Sequence, residues 1–184
     1  MKFSESVERI SISGIREVFE AASEDAIDLG LGQPDCPTPS HARQAAVEAI
    51  EAGKADDYTG NKGIEPLREA VSEKFARDQG VEVAPSDIVA TAGACEALHV
   101  AMEAHLGPGD EVLVPDPGFV SYDALAKVAG AEPVPVPLRD DLTLDPAAVA
   151  PPITDSTAAF VLNSPGTPAR AASPPAPPPP RPGG

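Results

Sequence analysis

The residues best suited to binding chemistry lie where a short apolar run, 88–91, passes through small residues into a helical pattern. The first amides of a helix have no carbonyl partner and carry the positive end of the helix dipole. Small residues at Gly93, Ala94 and Cys95 allow a phosphate to approach those amides. The junction therefore indicates an anion site, although small residues also allow any helix to pack closely on its strand.

A second glycine-containing loop, residues 29–35, follows a predicted strand and partly matches a dinucleotide-binding loop. Asp35 stands where the third glycine would be required, and Pro34 interrupts the turn. The chain also contains no G-x-x-x-x-G-K-[ST] segment. The sequence therefore predicts neither a Rossmann nucleotide site nor a P-loop.

Two cysteine–histidine pairs have spacings that a metal site can use. Cys95 and His99 are four residues apart on a predicted helix, and Cys36 lies near His41 in a loop. No third ligand motif completes either pair, so no metal site is predicted. His105 lies on an apolar helix stripe and is expected to be a core histidine or one that stabilises the helix C-terminus.

Charge and composition limit the partners of the protein. Thirteen Lys and Arg against 29 Asp and Glu give a net charge of −16, which repels phosphate backbones and anionic membranes. The chain contains neither a membrane-length apolar run nor a signal-peptide pattern, so a cytoplasmic location is expected. The two cysteines, Cys36 and Cys95, are expected to be free thiols.

The elements that must position these residues alternate between strands and helices. Apolar runs predict strands at 26–29, 88–91, 111–114, 133–136 and 158–162. Helical periodicity predicts helices at 38–52, with Thr38 as N-cap and Pro39 at N1, and at 66–79, 94–106 and 120–129. An ion pair between Glu73 and Arg77 is expected on the second of these helices. This alternation predicts an α/β fold with a mainly parallel sheet flanked by helices.

Composition changes abruptly after Leu162, because no Val, Ile, Leu, Met or aromatic residue follows it. Residues 163–184 therefore cannot form a core, and we expect a disordered or polyproline II tail. Two interpretations are open for it. One is a proline-rich ligand for an SH3-type groove; the other is an out-of-frame translation of a GC-rich gene.

Six motifs appear in one order along the chain. They are Leu31-Gly-Gln-Pro-Asp, Tyr58-Thr-Gly-Asn-Lys-Gly with Leu67-Arg-Glu-Ala, Thr91-Ala-Gly-Ala-Cys-Glu-Ala-Leu, Pro108-Gly-Asp-Glu-Val-Leu-Val, Pro115-Asp-Pro-Gly-Phe-Val-Ser-Tyr and Asn163-Ser-Pro-Gly. This order resembles the class I/II aminotransferases of pyridoxal phosphate (PLP) fold type I. The resemblance covers residues 1 to about 166 and is to the N-terminal half of such an enzyme.

The resemblance implies a role for several residues in binding the cofactor. Gly93, Ala94 and Cys95 match the phosphate-binding residues at the helix N-terminus. Phe119 matches the aromatic residue that stacks on the pyridine ring, a role that requires a flat apolar face. From its sequence context alone, Phe119 is equally suited to core packing.

Two further positions match the family outside the helix junction. Tyr58 matches the tyrosine whose hydroxyl reaches the cofactor phosphate of the neighbouring subunit, which implies a homodimer; otherwise it is an ordinary loop tyrosine. Gly32 matches the glycine whose backbone approaches the substrate carboxylate, where a side chain would block entry. Its alternative is a turn glycine.

The chain departs from the family after residue 166. Thr167 stands where the family has the asparagine that donates to the cofactor ring oxygen. The 184 residues contain no match for the lysine that carries the cofactor, the aspartate that pairs with its ring nitrogen, or the arginines that bind phosphate and substrate carboxylate. The lysine's amine also moves the proton during transfer, so no catalytic residue is assigned.

These observations predict three regions: an N-terminal segment (1–30), part of a PLP-binding large domain (31–162) and a proline-rich tail (163–184). The implied activity is transfer of an amino group between an amino acid and a 2-oxo acid, in a truncated form that is inactive alone. A related PLP lyase or decarboxylase is one alternative. The other is a non-catalytic fragment or an interaction protein that presents its tail to a partner.

Overall fold

The computed structural model describes residues 2–10 and 35–166. The helices are α1 (Glu5–Glu8), α2 (Ser40–Glu51), α3 (Glu65–Gln79), α4 (Gly93–His105), α5 (Ser121–Val128) and α6 (Pro146–Val149), and a single 3₁₀ turn covers Pro85–Asp87. The strands are β1 (Glu111–Asp116), β2 (Glu132–Pro137) and β3 (Thr157–Phe160). The chain divides into two compact units, one formed by Met1–Gly14 with Cys95–Gly184 and the other by Ile15–Ala94.

The first unit contains a parallel sheet with the strand order β2-β1-β3. The register places Glu111 opposite Glu132 and Asp116 opposite Pro137. Val112, Leu113 and Val114 are all buried, as expected for a central strand covered on both faces. The predicted strands at 111–114, 133–136 and 158–162 are therefore confirmed, and so is the mainly parallel sheet.

Helices α4 and α5 cover the sheet and form the core with it. Met102 of α4 packs in one cluster with Val112 and Val114 of β1 and with Tyr122 and Ala126 of α5. Tyr122 and Ala126 are four residues apart, so they lie on the same helix face. The core thus fixes the two helices that begin beside the candidate site.

The turn after β1 requires a glycine for steric reasons. A Cβ atom at Gly118 would lie 2.2 Å from the carbonyl oxygen of Pro115. No real side chain tolerates that distance from backbone. Gly118 therefore allows the chain to turn sharply from β1 towards Phe119.

Residues 2–10 belong to the unit that contains the sheet. Helix α1 contacts α5, and Arg9 forms an ion pair with Glu132 at the start of β2. The predicted strand at 26–29, and most of the N-terminal segment 1–30, lie outside the described residues. So does most of the tail.

The second unit contains α2 and α3, and its described side chains are all at least partly exposed. Helix α2 begins at Ser40, with Pro39 rather than Thr38 as N-cap, so the predicted cap was wrong by one residue. Helix α3 ends where predicted, because Gly80 adopts the left-handed conformation, with φ 67°. The predicted limits of this helix, 66–79, are correct to one residue.

The charges on α3 pair differently from the prediction. Arg77 donates to its neighbour Asp78, and Lys74 also binds Asp78 at 2.6 Å, so the predicted Glu73–Arg77 pair was wrong. The hydrogen bonds from Arg77 and then Lys74 lower the pKa of Asp78 below its ordinary value. Arg77 therefore pairs with Asp78, which also contacts Lys74, and not with Glu73.

The segment 88–91 is the main error in the secondary-structure prediction. Ile88 is extended, with φ −100° and ψ 133°, but no strand pairs with this segment within residues 35–166. A strand requires a hydrogen-bonded neighbour, and the described part of the chain supplies none. The amide of Ala90 instead donates to the carbonyl oxygen of Lys62, and side chains of α3 and of the loop before it bind the residues just before this segment, as described below.

Candidate functional site

The candidate anion site is the first turn of α4. Gly93, its first residue, has a φ of 81°, which glycine adopts without strain, and a Cβ atom there would meet nothing within 4 Å. Gly93, Ala94 and Cys95 are all exposed. Within the described part of the chain, this turn is therefore accessible to a ligand.

The amides of this turn are not equivalent. The amide of Gly93 donates to the carbonyl oxygen of Thr91 at 2.8 Å, so the expectation that it is unpaired was wrong. Ala94 and Cys95 occupy first-turn positions, where no carbonyl lies one turn earlier in the helix. Gly93 therefore contributes its conformation and lack of a side chain, and the next two residues contribute the donors.

A contact links this turn to α5. The Sγ atom of Cys95 lies 3.8 Å from the Oγ atom of Ser121, the first residue of α5. Ser121 comes two residues after Phe119, in the motif that carries the aromatic candidate. Ser121 is not among the site residues predicted from the sequence, although a serine in the first turn of a helix is a recognisable signal.

Phe119 has two environments. Its ring meets the ring of Tyr122 edge-on, with centroids 5.6 Å apart and planes at 77°, and it packs against the core. It also lines a cavity of about 290 Å³, together with Asp116, Tyr122 and Pro135 among others. Part of the ring is thus fixed by packing, and part remains available to a ligand.

The other two candidate residues are separate from this corner. Tyr58 is fully exposed and belongs to the unit formed by Ile15–Ala94. Gly32 lies outside the described residues. Among the candidate residues, Cys95 alone is thus shown in contact with the segment that bears Phe119, through Ser121 two residues further along the chain.

The residues considered as metal ligands have ordinary environments. Within residues 2–10 and 35–166, no three His, Cys, Asp or Glu side chains are grouped as a metal site requires. Cys36 and Cys95 are exposed free thiols. His105 is exposed at the end of α4, where its Nδ1 lies 2.9 Å from the carbonyl oxygen of Ala101. It therefore stabilises the helix end and is not a core residue.

The described helices are all too short or too polar to cross a membrane.

Most of the chain is similar to one protein family. The model for "aminotransferase class I and II" matches residues 24–175. The aspartate aminotransferase of Pyrococcus horikoshii is 44% identical over 169 residues, which cover 90% of this chain and 43% of that protein. The probable aspartate aminotransferase of Methanocaldococcus jannaschii is 40% identical, over 86% of this chain and 42% of its own. The chain thus spans less than half the length of these relatives.

Solved structures agree in fold. The aspartate aminotransferase of Thermus thermophilus with maleate superposes with a TM-score of 0.85 at 37% identity, over 91% of this chain and 46% of that one. The aspartate aminotransferase of Rhizobium meliloti gives a TM-score of 0.86 at 32% identity, over 91% and 44%. The family model, the relatives and the superposed folds agree, and the chain belongs to the class I and II aminotransferase family.

Proposed function

We propose that this chain supplies the N-terminal part of the cofactor-binding domain of a PLP-dependent aminotransferase, which moves an amino group between an amino acid and a 2-oxo acid. The observation that carries the proposal is the contact between Cys95 and Ser121. It brings the first turn of α4 and the segment bearing Phe119 to the same corner, at the carboxyl end of β1. Ligands of parallel α/β sheets bind at that end.

The donor set at this corner suits a phosphate monoester. The amides of Ala94 and Cys95 belong to the first turn of a helix. The hydroxyl of Ser121, which lies 3.8 Å from the Cys95 sulfur, is a further possible donor. Among the described residues, no atom beyond the chain neighbours lies within 4 Å of a Cβ atom built at Gly93. The residues present therefore fit the phosphate of PLP, and in this proposal they anchor the cofactor by that group.

Phe119 would hold the cofactor ring. Its edge-on contact with Tyr122 fixes the ring orientation, so its free face is preorganised for stacking. When bound, PLP accepts the electron pair released at the substrate α-carbon. The task of Phe119 is to keep the ring flat against the protein and to exclude water from that face.

Two further roles are proposed for residues outside this corner, Tyr58 and Gly32. Tyr58 would reach the cofactor phosphate of a second subunit, which its full exposure in this chain allows. Gly32 would admit the substrate carboxylate. The role of Tyr58 requires the homodimer that we propose for the complete enzyme, together with a cytoplasmic location.

The names of the relatives support a class of substrate and not a single compound. The two relatives described above carry the name aspartate aminotransferase, while others are named for aspartate and prephenate, and superposed structures include an aromatic and an alanine aminotransferase. We therefore propose an α-amino acid as the donor, with aspartate the first to be tested.

A hybrid enzyme tests this function. Residues 1–166 replace the matching segment of the Pyrococcus horikoshii relative, and transamination of aspartate with a 2-oxo acid is measured. We expect turnover, and we expect it to fall in the same hybrid carrying Cys95→Asp. A hybrid that folds as a dimer and binds PLP, but does not transaminate, would contradict the proposal.

The 184-residue chain alone is expected to be inactive, because none of its lysines matches the residue that carries the cofactor. Incubation with PLP, borohydride reduction and peptide mass spectrometry should show no site-specific lysine adduct. A single modified lysine accompanied by turnover would overturn this expectation.

A further inference from the structure

We propose that Lys62, Arg68 and Ser72 form a clamp that positions the phosphate-binding end of α4 by holding the main chain of the segment leading into it. This inference rests on the proposed function, because it concerns the same phosphate site. The three residues touch no candidate ligand position themselves. They are positioning residues that act through the segment 83–90.

The clamp consists of three side chains that donate to consecutive parts of one loop. Ser72 Oγ donates to the carbonyl oxygen of Val83 at 2.6 Å, and Arg68 Nη1 to that of Pro85 at 2.9 Å. Lys62 Nζ donates to the carbonyl oxygen of Ser86 at 2.9 Å. Two of the donors are cations, and charged donors make stronger hydrogen bonds to carbonyls than neutral ones.

Two main-chain features extend the clamp towards α4. The amide of Ala90 donates to the carbonyl oxygen of Lys62 at 3.0 Å. Gly63, with a φ of 87°, lies so close that a Cβ atom there would be 2.8 Å from the Cβ atom of Ala90. The loop before α3 and the segment before α4 are therefore in direct contact.

The clamp fixes the path of a segment that is not held by hydrogen bonds to a neighbouring strand in the described part of the chain. The segment 88–91 pairs with no strand within residues 35–166, and three residues after Ala90 the chain must reach Gly93 in the left-handed conformation. Without fixed points at Val83, Pro85 and Ser86, this segment has no regular structure to set its path. The orientation of the Ala94 amide then depends on side chains of α3 and the preceding loop.

Arg68 is the central residue of this arrangement. It is half-buried, and its Nε atom is buried without an acceptor among the described residues, so the guanidinium is held in place by packing and by its bond to Pro85. Arg77, on the same helix, instead pairs with Asp78 at the surface. Arg77 is therefore a matched control.

The test compares PLP with pyridoxal, which lacks the phosphate, as ligands of the full 184-residue chain. Affinities are measured by fluorescence titration for the wild type, Arg68→Met, Arg68→Lys, Ser72→Ala and Arg77→Met. Because the clamp orients donors to phosphate, Arg68→Met and Ser72→Ala should weaken PLP binding by about 3- to 10-fold, the effect of losing one hydrogen bond. Pyridoxal binding should not change.

The two controls separate positioning from stability. Arg77→Met should leave both affinities unchanged, and Arg68→Lys, which retains a cationic donor, should restore part of the preference for PLP. Thermal unfolding of each variant is recorded in parallel. A residue with only a structural role would change the unfolding midpoint or both affinities together, and would not change the ratio between the two ligands.

The outcomes distinguish this inference from the proposed function. If the wild type binds PLP no more tightly than pyridoxal, the phosphate site itself is wrong and both proposals fail. If the wild type prefers PLP but Arg68→Met and Ser72→Ala keep the same preference, the clamp is wrong and the proposed function stands. If Arg68→Met does not fold, Ser72→Ala, which removes one hydroxyl, decides the question.

Discussion

Cys95 and Ser121 place their Sγ and Oγ atoms 3.8 Å apart, and each residue lies in the first turn of its own helix, α4 or α5. The amino-terminal ends of two helices therefore meet beside the carboxyl end of β1. Each end carries the partial positive charge of a helix dipole. Two such ends favour an anion more strongly than one, which matters in a chain with a net charge of −16.

Replacing Cys95 with aspartate should separate ligand binding from stability. A carboxylate in the first turn stabilises a helix by interacting with its dipole, but it repels a bound phosphate. We expect Cys95→Asp to weaken PLP binding by about tenfold or more, an energy of about 1.4 kcal/mol, without lowering the unfolding midpoint. Fluorescence titration and thermal unfolding measure the two effects.

Two variants control this experiment. Cys95→Ser retains a small polar side chain and should bind PLP almost as the wild type does. Ala70→Asp adds the same charge at an exposed position of α3 and should leave affinity unchanged. If Cys95→Asp binds PLP normally, the first turn of α4 is not the phosphate site.

A substitution at Phe119 can distinguish a role in stacking on the cofactor from a role in core packing. Phe119→Leu keeps an apolar side chain against the core but removes the flat face required for stacking. We expect PLP affinity to fall about 3- to 10-fold, in line with the roughly 0.5–1.5 kcal/mol of an aromatic contact, with a change in the unfolding midpoint of only a few degrees. Phe119→Trp, which restores a flat ring, is the matched variant.

An unchanged PLP affinity would contradict the stacking role of Phe119. If Phe119→Leu binds PLP as tightly as the wild type, its partial burial beside Tyr122 is its whole role.

Gly118 should tolerate no side chain. The steric conflict of an alanine Cβ atom, at 2.2 Å from the carbonyl oxygen of Pro115, involves backbone on both sides and cannot be relieved by a rotamer change. We expect Gly118→Ala to lower the free energy of unfolding by about 2 kcal/mol or more. Gly107→Ala is the control, because its Cβ atom would meet Asp110 only at 3.9 Å. Equal stability of the two variants would show that the β1–α5 turn relaxes easily.

The sequence predicted the elements that carry their own signals and missed those that depend on a partner. The limits of α3 were correct because Gly80 ends the helix, and β1 was correct because a continuous apolar run is typical of a buried parallel strand. The segment 88–91 has the same apolar pattern, but whether it is a strand depends on a neighbouring strand that the pattern does not reveal. Local composition therefore could not distinguish the two cases.

The candidate site shows the same limit. The small residues before Cys95 indicated an accessible helix end, and Gly93, Ala94 and Cys95 are exposed among the described residues; whether they bind an anion stays a prediction. The hydrogen bond from Gly93 to Thr91 and the contact with Ser121 depend on backbone angles and on the packing of α5. Neither could be obtained from residue spacing.

The outer edge of β2 should resist pairing with another strand. The amide of Glu132 donates to the carbonyl oxygen of Asp110 at 2.9 Å, and the amide of Leu138 donates to that of Asp116 at 3.0 Å. The main-chain groups of alternate residues, beginning with Glu132, therefore point towards β1. The main-chain groups of the intervening positions lie on the opposite edge of the strand, and all three positions are prolines: Pro133, Pro135 and Pro137. Proline has no N–H group, so this edge lacks the donors that a neighbouring strand requires.

Restoring those donors should promote self-association. The double variant Pro135→Val with Pro137→Val adds two outward amides and raises β-propensity. We expect a higher average mass than the wild type by light scattering at equal concentration, with the difference increasing with concentration. Pro151→Val, in an exposed turn outside the sheet, controls for the change in composition. If the double variant scatters as the wild type and the control do, the missing donors are not what prevents this edge from pairing with a second copy of the chain.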